Sequence, residues 1–353
     1  MSHLFDPLTI REVTLKNRAW VSPMCQYMAN DGVVGDWHLV HLGAFATGGS
    51  GLIIAEATGV TPEGRISIGC PGLWNESHVQ AWSKVTSFVH SMNTKIGIQL
   101  AHAGRKGGTT RPGSDHRIAT PEEGGYQTVA PSAIAFEGYP APRALTVPEI
   151  ASLVDAWATA ARNAVAAGFD LVEVHAAHGY LLHEFYSPLS NTRTDEYGGS
   201  FENRTRFLRE VVSSVRAAIP AGMPLFVRIS ASDWVDGGWT LEESIQLSTD
   251  LVALGADLID VSSGGNVHNA PIVPKPGYQV HFSEAIHQAG AIATSAVGMI
   301  TEPRQADEII SSGKAEAVMM GREMLRNPRW PLMAAAGLGA SIDWPLPLER
   351  GKK

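Results

Sequence analysis

The stretch TVPEIASLVDAWATAARNAVAAGFDLVEVHAAHGY, from Thr146 to Tyr180, decides the fold. It opens on a capping box, in which Thr146 accepts from the amide of Glu149 while the Glu149 side chain reaches back to the Thr146 amide. This predicts a helix through about Ala167, which Gly168 ends in the left-handed turn that glycine tolerates best. Phe169–Ala176 follows as a short, continuous apolar run, the signature of a strand buried on both faces in a parallel sheet. His175, His178 and Tyr180 then stand where that strand would emerge.

The same unit recurs outward in both directions. Short apolar runs bounded by Gly or Pro occupy Ala19–Pro23, Gly51–Ala57, Lys95–Ala101, Pro224–Ser230, Ala256–Ser262, Ala291–Gly298 and Ala315–Gly321. Thr240 and Glu243 form a second capping box opening a helix that ends near Gly255. Thr301, with Pro303 in the first turn, opens another that Gly313 stops. Eight strands alternating with helices predict an α/β fold, a (β/α)8 TIM barrel forming one domain over residues 1–353. A doubly wound open sheet is the alternative, and the eightfold count favours the barrel. Leu8–Leu15 reads as a small hairpin turning at Arg11–Glu12 and closing the barrel floor. The segment 103–143 is rich in Gly and Pro, has no clear period and follows the third strand, so it is expected over the catalytic face as a lid.

Composition narrows the function. Basic residues number 27 and acidic residues 35, giving a net charge of −8, with no basic run. Neither nucleic-acid binding nor an anionic-membrane anchor is expected. The two cysteines, Cys25 and Cys70, cannot build a disulfide framework and suit a reducing cytoplasm. The opening MSHLFDPLTIREVTLKNR carries charges and a proline where a signal peptide needs an apolar core. No run of about 18 apolar residues is present for a membrane span.

In a barrel, reactive groups belong at the C-terminal ends of the strands. Ser22–Tyr27, Glu56–Ala57, Gln99–His102 with Lys106, Glu173–Tyr180, Arg228, Ser262, Gly298 and Gly321–Arg322 all fall there. His175 and His178 have three readings: a metal site with Glu173, which would suit a metal-dependent barrel hydrolase; a pair of neutral donors to a substrate oxygen; or hydrogen-bonded structural histidines. Arg228 lies inside the apolar run Leu–Phe–Val–Arg–Ile. It must therefore be paired, with Glu173 or Asp260, or face a ligand of negative character. Gly321–Arg322 stands at the phosphate address of such barrels. Cys25 is either an inert filler or a nucleophile needing a base. His38 and His41 read as packing or surface residues.

Beyond these local readings, the chain resembles the Old Yellow Enzyme family of FMN-dependent ene-reductases, in particular its bacterial thermophilic-like branch. The segments that carry the resemblance are SPMCQYMANDG at 22–32, GLIIAEATGVTPEGR at 51–65 and GIQLAHAGRK at 97–106. They continue with VEVHAAHGYLLHEFYSPLSNTRTDEYGGSFENRTRF at 172–207, PGYQV at 276–280 and MMGREMLRNPRWP at 319–331. The resemblance implies a barrel holding FMN without a covalent bond and reduced by NADPH or NADH. Ser22, Pro23, Met24 and Cys25 would line the flavin, and Ala57 and Gln99 would contact its pyrimidine side. Arg228 would stabilise the reduced flavin, while Gly298, Gly321 and Arg322 would hold its phosphate. His175 and His178 would bind the activating oxygen of an enone or nitro substrate, Tyr27 would contact the same ligand, and Tyr180 would donate the proton. Cys25 would tune the flavin, and Lys106 would belong to the lid and the substrate pocket.

The tail 341–353 ends in WPLPLERGKK. Its prolines predict an extended path. The resemblance implies that it crosses to a neighbouring subunit, so that Arg350 completes the partner's pocket in a homodimer or a dimer-based homotetramer.

Overall fold

A computed structural model describes residues 2–352, apart from 114 and 291. Among the described residues, eight parallel strands close into a barrel in chain order: Ala19–Val21, Leu52–Gly59, Lys95–Ala101, Leu171–Ala176, Leu225–Ser230, Leu258–Ser262, Thr294–Ala296 and Ala317–Met320. The eighth pairs back onto the first, Met319 beside Trp20. Seven of the expected runs contain their strands, and the second strand runs two residues past the expected Ala57, to Gly59. The expected start of the seventh, at residue 291, lies outside the described residues.

Helices cover the outside because each carries one apolar face. Val147–Ala166 opens on the Thr146–Glu149 capping box and stops at Gly168, whose φ is +85°. Leu241–Ala253 opens on the Thr240–Glu243 box. One boundary differs. The helix after the seventh strand begins at Pro303 with Glu302 in the capping position, so Thr301 lies outside it. Proline accounts for this, since it suits a first helical position, where its missing N–H costs nothing.

Two apolar layers result. The larger lies between strands and helices and holds Trp82, Trp157, Phe185 and Phe207. The smaller fills the barrel's lower interior with Trp20, Leu52, Leu171, Phe226, Leu258 and Met319. Trp20 and Phe226 stack there at 5.9 Å. The hairpin forms as expected, Leu8–Ile10 pairing with Val13–Leu15. Its Leu8, Ile10, Val13 and Leu15 pack onto this inner layer and close the floor. With one end sealed, the opposite end is the open mouth.

The segment 103–143 contains short turns at Gly104–Lys106 and Pro121–Glu123, and Val129–Ala130 pairs with Arg143–Ala144. The tail departs from expectation: Leu346–Gly351 forms a 3-10 turn rather than an extended arm. Proline fixes φ near the value such a turn needs, and the Leu348 amide donates to the Pro345 carbonyl at 2.8 Å. No helix of the described residues is long and apolar enough to cross a membrane.

Candidate active site

The fourth strand delivers His175 to the mouth and ends in a tight turn. His178 and Gly179 both take left-handed backbone, at φ +60° and +70°. That conformation is uncommon for histidine and costs energy that the surroundings must supply. The His178 amide donates to Ser230 Oγ at 2.9 Å, and its ring Nε2 lies 2.7 Å from Ser262 Oγ. The turn brings three rings together: His175 to His178 at 5.3 Å and His175 to Tyr180 at 5.2 Å between centroids. His175 Nδ1 is buried without a hydrogen-bond partner among the described residues. Burial first, and the Arg228 charge second, push both imidazoles well below their ordinary pKa, so they are neutral. Burial, then the neighbouring Cys25 and Tyr27, push the Tyr180 phenol well above its ordinary value, so it holds its proton at neutral pH.

Facing this turn is the loop after the first strand. Its Tyr27 also has left-handed backbone, at φ +59°. The Gln26 amide donates to Glu56 Oε2 at 2.8 Å, and His38 Nε2 lies 3.2 Å from Glu56 Oε1. The second strand slips register between Ala55 and Thr58, and this bulge sets Glu56 and Ala57 at the rim. A hydrogen bond that the Cys25 thiol donates to Cys70, followed by burial, holds its pKa well above the usual value. It is therefore a thiol rather than a reactive thiolate at neutral pH.

Arg228, on the fifth strand, settles its pairing. Its Nε lies 2.9 Å from Asp260 Oδ2, off the axis of a linear hydrogen bond. Among the described residues no hydrogen bond occupies its Nη1 or Nη2. Glu173 instead accepts from Gln99 Nε2 at 2.8 Å. Burial, then the nearby Asp260, raise the Glu173 carboxyl to about 8, with Arg228 opposing. The guanidinium thus faces the mouth from beside His175, its partner in register.

To one side, Gly298, Gly321 and Arg322 line a groove of about 350 Å3 with Met24, Tyr278 and Gln279. Gly298 has φ +134°, and a Cβ there would meet the Tyr278 ring at 3.2 Å, so glycine keeps the backbone bare. A guanidinium, a carboxamide and bare backbone leading into an arginine-lined groove suit a flat polar group with an anionic tail. A larger crevice of about 770 Å3 opens at the floor end, between the tail's Trp344 and Leu348 and the body's Lys16 and Met92. It lies away from the polar strand ends.

Lys106 donates to the carbonyls of His178 and Gly265, both at 2.8 Å. Its ammonium lies 5.0 Å from the Tyr180 ring centre and 4.7 Å from that of Phe136, which belongs to the expected lid. Two of its three N–H groups are therefore held by backbone. Arg350 is exposed within the tail's turn, and the tail lines the floor crevice, so Arg350 does not join this chain's own mouth. Among the described residues, no three His, Cys, Asp or Glu side chains gather as a metal-ligand set. Sequence reasoning gave no functional role to Glu56, Ser230, His183 or Asp233, and it read His38 as a packing or surface residue; His38 is buried against Glu56 and Trp82. Only the His-carboxylate composition of the strand ends hinted at them.

Comparison with known proteins follows the same lines. Residues 3–340 match the NADH:flavin oxidoreductase / NADH oxidase family. The chain is 48% identical to an NADPH dehydrogenase of Geobacillus thermodenitrificans (strain NG80-2), over 99% of this chain and 98% of that protein. Morphinone reductase in complex with tetrahydroNAD superposes with a TM-score of 0.80 at 30% identity, covering 98% of this chain and 93% of that one. A 2-naphthoyl-CoA reductase complex gives a TM-score of 0.86 at 27% identity over 96% of this chain, which spans about half (52%) of that protein. The chain therefore belongs to the NADH:flavin oxidoreductase / NADH oxidase family, that of the Old Yellow Enzymes, and is an oxidoreductase that uses FMN with a nicotinamide reductant.

Proposed function

We propose that the protein is an ene-reductase that reduces the activated C=C bond of α,β-unsaturated carbonyl or nitro compounds, with NADPH as the preferred reductant. One observation carries the reading: two neutral imidazoles and a protonated phenol converge at the mouth beside the Arg228 strand, the His178 and Tyr180 ring centres 5.3 and 5.2 Å from that of His175.

The residues present fit the flavin. Arg228 offers outer N–H groups to an anionic ring edge, Gln99 a carboxamide, and Ser22, Pro23, Met24, Cys25 and Ala57 a lining from the first two strand ends. The bare backbone at Gly298 and Gly321, with Arg322, suits the phosphate. Held there, FMN would supply the hydride chemistry that links the nicotinamide to the electron-poor β carbon of the substrate.

The chain's own groups do the rest. His175 and His178 donate hydrogen bonds to the substrate oxygen, and these strengthen as negative charge builds there, which is where such donors lower a barrier. His178 must turn from Ser262 to do so, or give its Nδ1. Tyr27 closes the pocket on the other side. Tyr180 gives its proton to the α carbon, so hydride and proton together complete the reduction. Lys106 orients the Tyr180 turn and its Phe136 contact faces the substrate.

The same reading extends to assembly and setting. Trp37, Val40 and Leu346 are 50%, 69% and 80% exposed, and such exposed apolar side chains support a homodimer or a dimer-based tetramer in which Arg350 reaches the partner's pocket. Two free cysteines suit the cytoplasm.

The deciding experiment is optical. Purified protein should be yellow, bleach with NADPH without air, and recover its colour when cyclohexenone or a nitroalkene is added. Bleaching without recovery by any such alkene would overturn the substrate assignment.

A further inference from the structure

His183 and Asp233 are both fully buried and lie outside the groups assigned to chemistry. They nonetheless meet the turn that carries it. The Gly179 amide, between His178 and Tyr180, donates to His183 Nδ1 at 2.9 Å. The far nitrogen of the same ring, Nε2, lies 3.0 Å from Asp233 Oδ1, off the axis of a linear hydrogen bond, and neither atom has another hydrogen-bond partner among the described residues. The other carboxylate oxygen, Oδ2, accepts from Ser187 Oγ at 2.6 Å and from the Trp239 amide at 2.9 Å. His183 is also stacked on Tyr186, 4.7 Å between centroids, which fixes its plane.

These contacts determine where the ring proton sits. A backbone amide can only donate, so His183 Nδ1 must accept and the proton belongs on Nε2, facing the carboxylate. Asp233 is suited to hold it there. Its Oδ2 takes two donors, the Ser187 hydroxyl and the Trp239 amide, which favour the carboxylate against the cost of burial. A carboxylate that orients a histidine by fixing its tautomer is a known device of catalytic sites. Here the histidine's free nitrogen is aimed at a backbone amide rather than at a substrate.

We propose that His183 and Asp233 are positioning residues: by locking one imidazole tautomer they hold the Gly179 amide, and with it the angle at which His178 and Tyr180 face the substrate. His178 and Gly179 are consecutive left-handed residues in a turn closed by the Tyr180 amide on the Ala177 carbonyl at 3.2 Å, a bond that leaves the Gly179 amide to an outside partner. Lys106 and Ser230 grip its His178 end, through the carbonyl and the amide respectively. His183 is the grip on the Gly179 amide.

The sharpest test is Asp233→Asn, which changes no volume. The Trp239 amide still requires an oxygen at the Oδ2 position, so the new NH2 group must face His183 Nε2. Nε2 then has to accept, its proton moves to Nδ1, and two N–H groups meet at Gly179. Flavin reoxidation by cyclohexenone in the FMN-loaded variant should slow by about 10- to 100-fold, the cost of a misplaced catalytic group. Flavin reduction by NADPH should stay within about twofold. Hydrogen exchange at the Gly179 amide should quicken. His183→Asn keeps an acceptor near the Nδ1 position and has no second nitrogen to mistake. It should retain most activity, and in that background Asp233→Asn should cost no more than about twofold.

The proposal rests on the roles given to His178 and Tyr180, so Tyr180→Phe is measured alongside. A normal reoxidation rate in Tyr180→Phe removes the proton donor assignment whatever Asp233 does. A normal rate in Asp233→Asn, equal slowing of both half-reactions, or equal cost of Asp233→Asn with and without His183 overturns the clamp itself. If Asp233→Asn does not fold, His183→Leu against His183→Asn decides: the clamp requires the leucine variant alone to lose reoxidation rate and Gly179 protection.

Discussion

His175 and Arg228 are register partners on adjacent parallel strands, so the imidazole and the guanidinium leave the barrel at the same height. The charge of one helps burial keep the other neutral. Burial lowers the His175 pKa most, and Arg228 adds to it. A neutral imidazole donates without carrying charge of its own, which suits an oxygen that gains charge only during the reaction.

Replacing both histidines, His175→Ala with His178→Ala, should leave FMN bound while slowing enone reduction severely. Loss of one such donor costs about 2.7–4 kcal/mol in the transition state. A chelator should leave the parent's activity unchanged. Parental turnover in the double variant, or inhibition by the chelator, would contradict the assignment.

Tyr180→Phe should spare flavin reduction by NADPH and slow the enone step by about 10²–10⁴-fold, the usual worth of a general acid. Stopped-flow measurement of the two half-reactions separates them. A loss confined to flavin reduction would contradict the role.

Cys25→Ala should change rates and flavin potential modestly and leave the enzyme active, because the half-buried thiol stays protonated. Complete inactivity with FMN retained would indicate nucleophilic work instead.

Asp233 predicts part of the acid response. Its folded pKa of about 2 lies below the ordinary carboxylate value, so its stabilisation is present above about pH 4 and is lost as pH falls through about 2. The shift is worth about 2 kcal/mol. Unfolding free energy should therefore fall by that much more between pH 5 and pH 2 in the parent than in Asp233→Asn, as read by chemical denaturation. Parallel curves would contradict this.

Truncation after Ile342 should weaken self-association, and Arg350→Ala should change substrate KM while leaving FMN content intact. Sedimentation and steady-state kinetics check both. A parent that sediments as a monomer, with unchanged kinetics for Arg350→Ala, would remove the subunit-crossing tail.

The elements of the fold were legible because their signals are local. The Thr146 and Thr240 boxes, the Gly168 stop, the eight apolar runs and the Leu8–Leu15 hairpin each depend on residues within a few positions of one another. The rim residues were also legible, since a strand's end is known once the strand is. The tail was not, because a proline permits both an extended path and the first residue of a turn.

Pairing across the barrel was decided only in three dimensions. Sequence left Arg228 a choice between Glu173 and Asp260, and the register of the fifth and sixth strands sets it opposite Asp260. Lys106 is spent on the carbonyls of His178 and Gly265, and His183 is set between Gly179 and Asp233. Apart from Gly179 and His183, four residues apart, these partners lie far from one another along the chain, and no local period encodes them. The sequence by itself determined the strands, the helices and the kinds of group at the mouth. The closed parallel sheet decided which of those groups meet, because its stagger fixes the height and direction of every side chain at the rim.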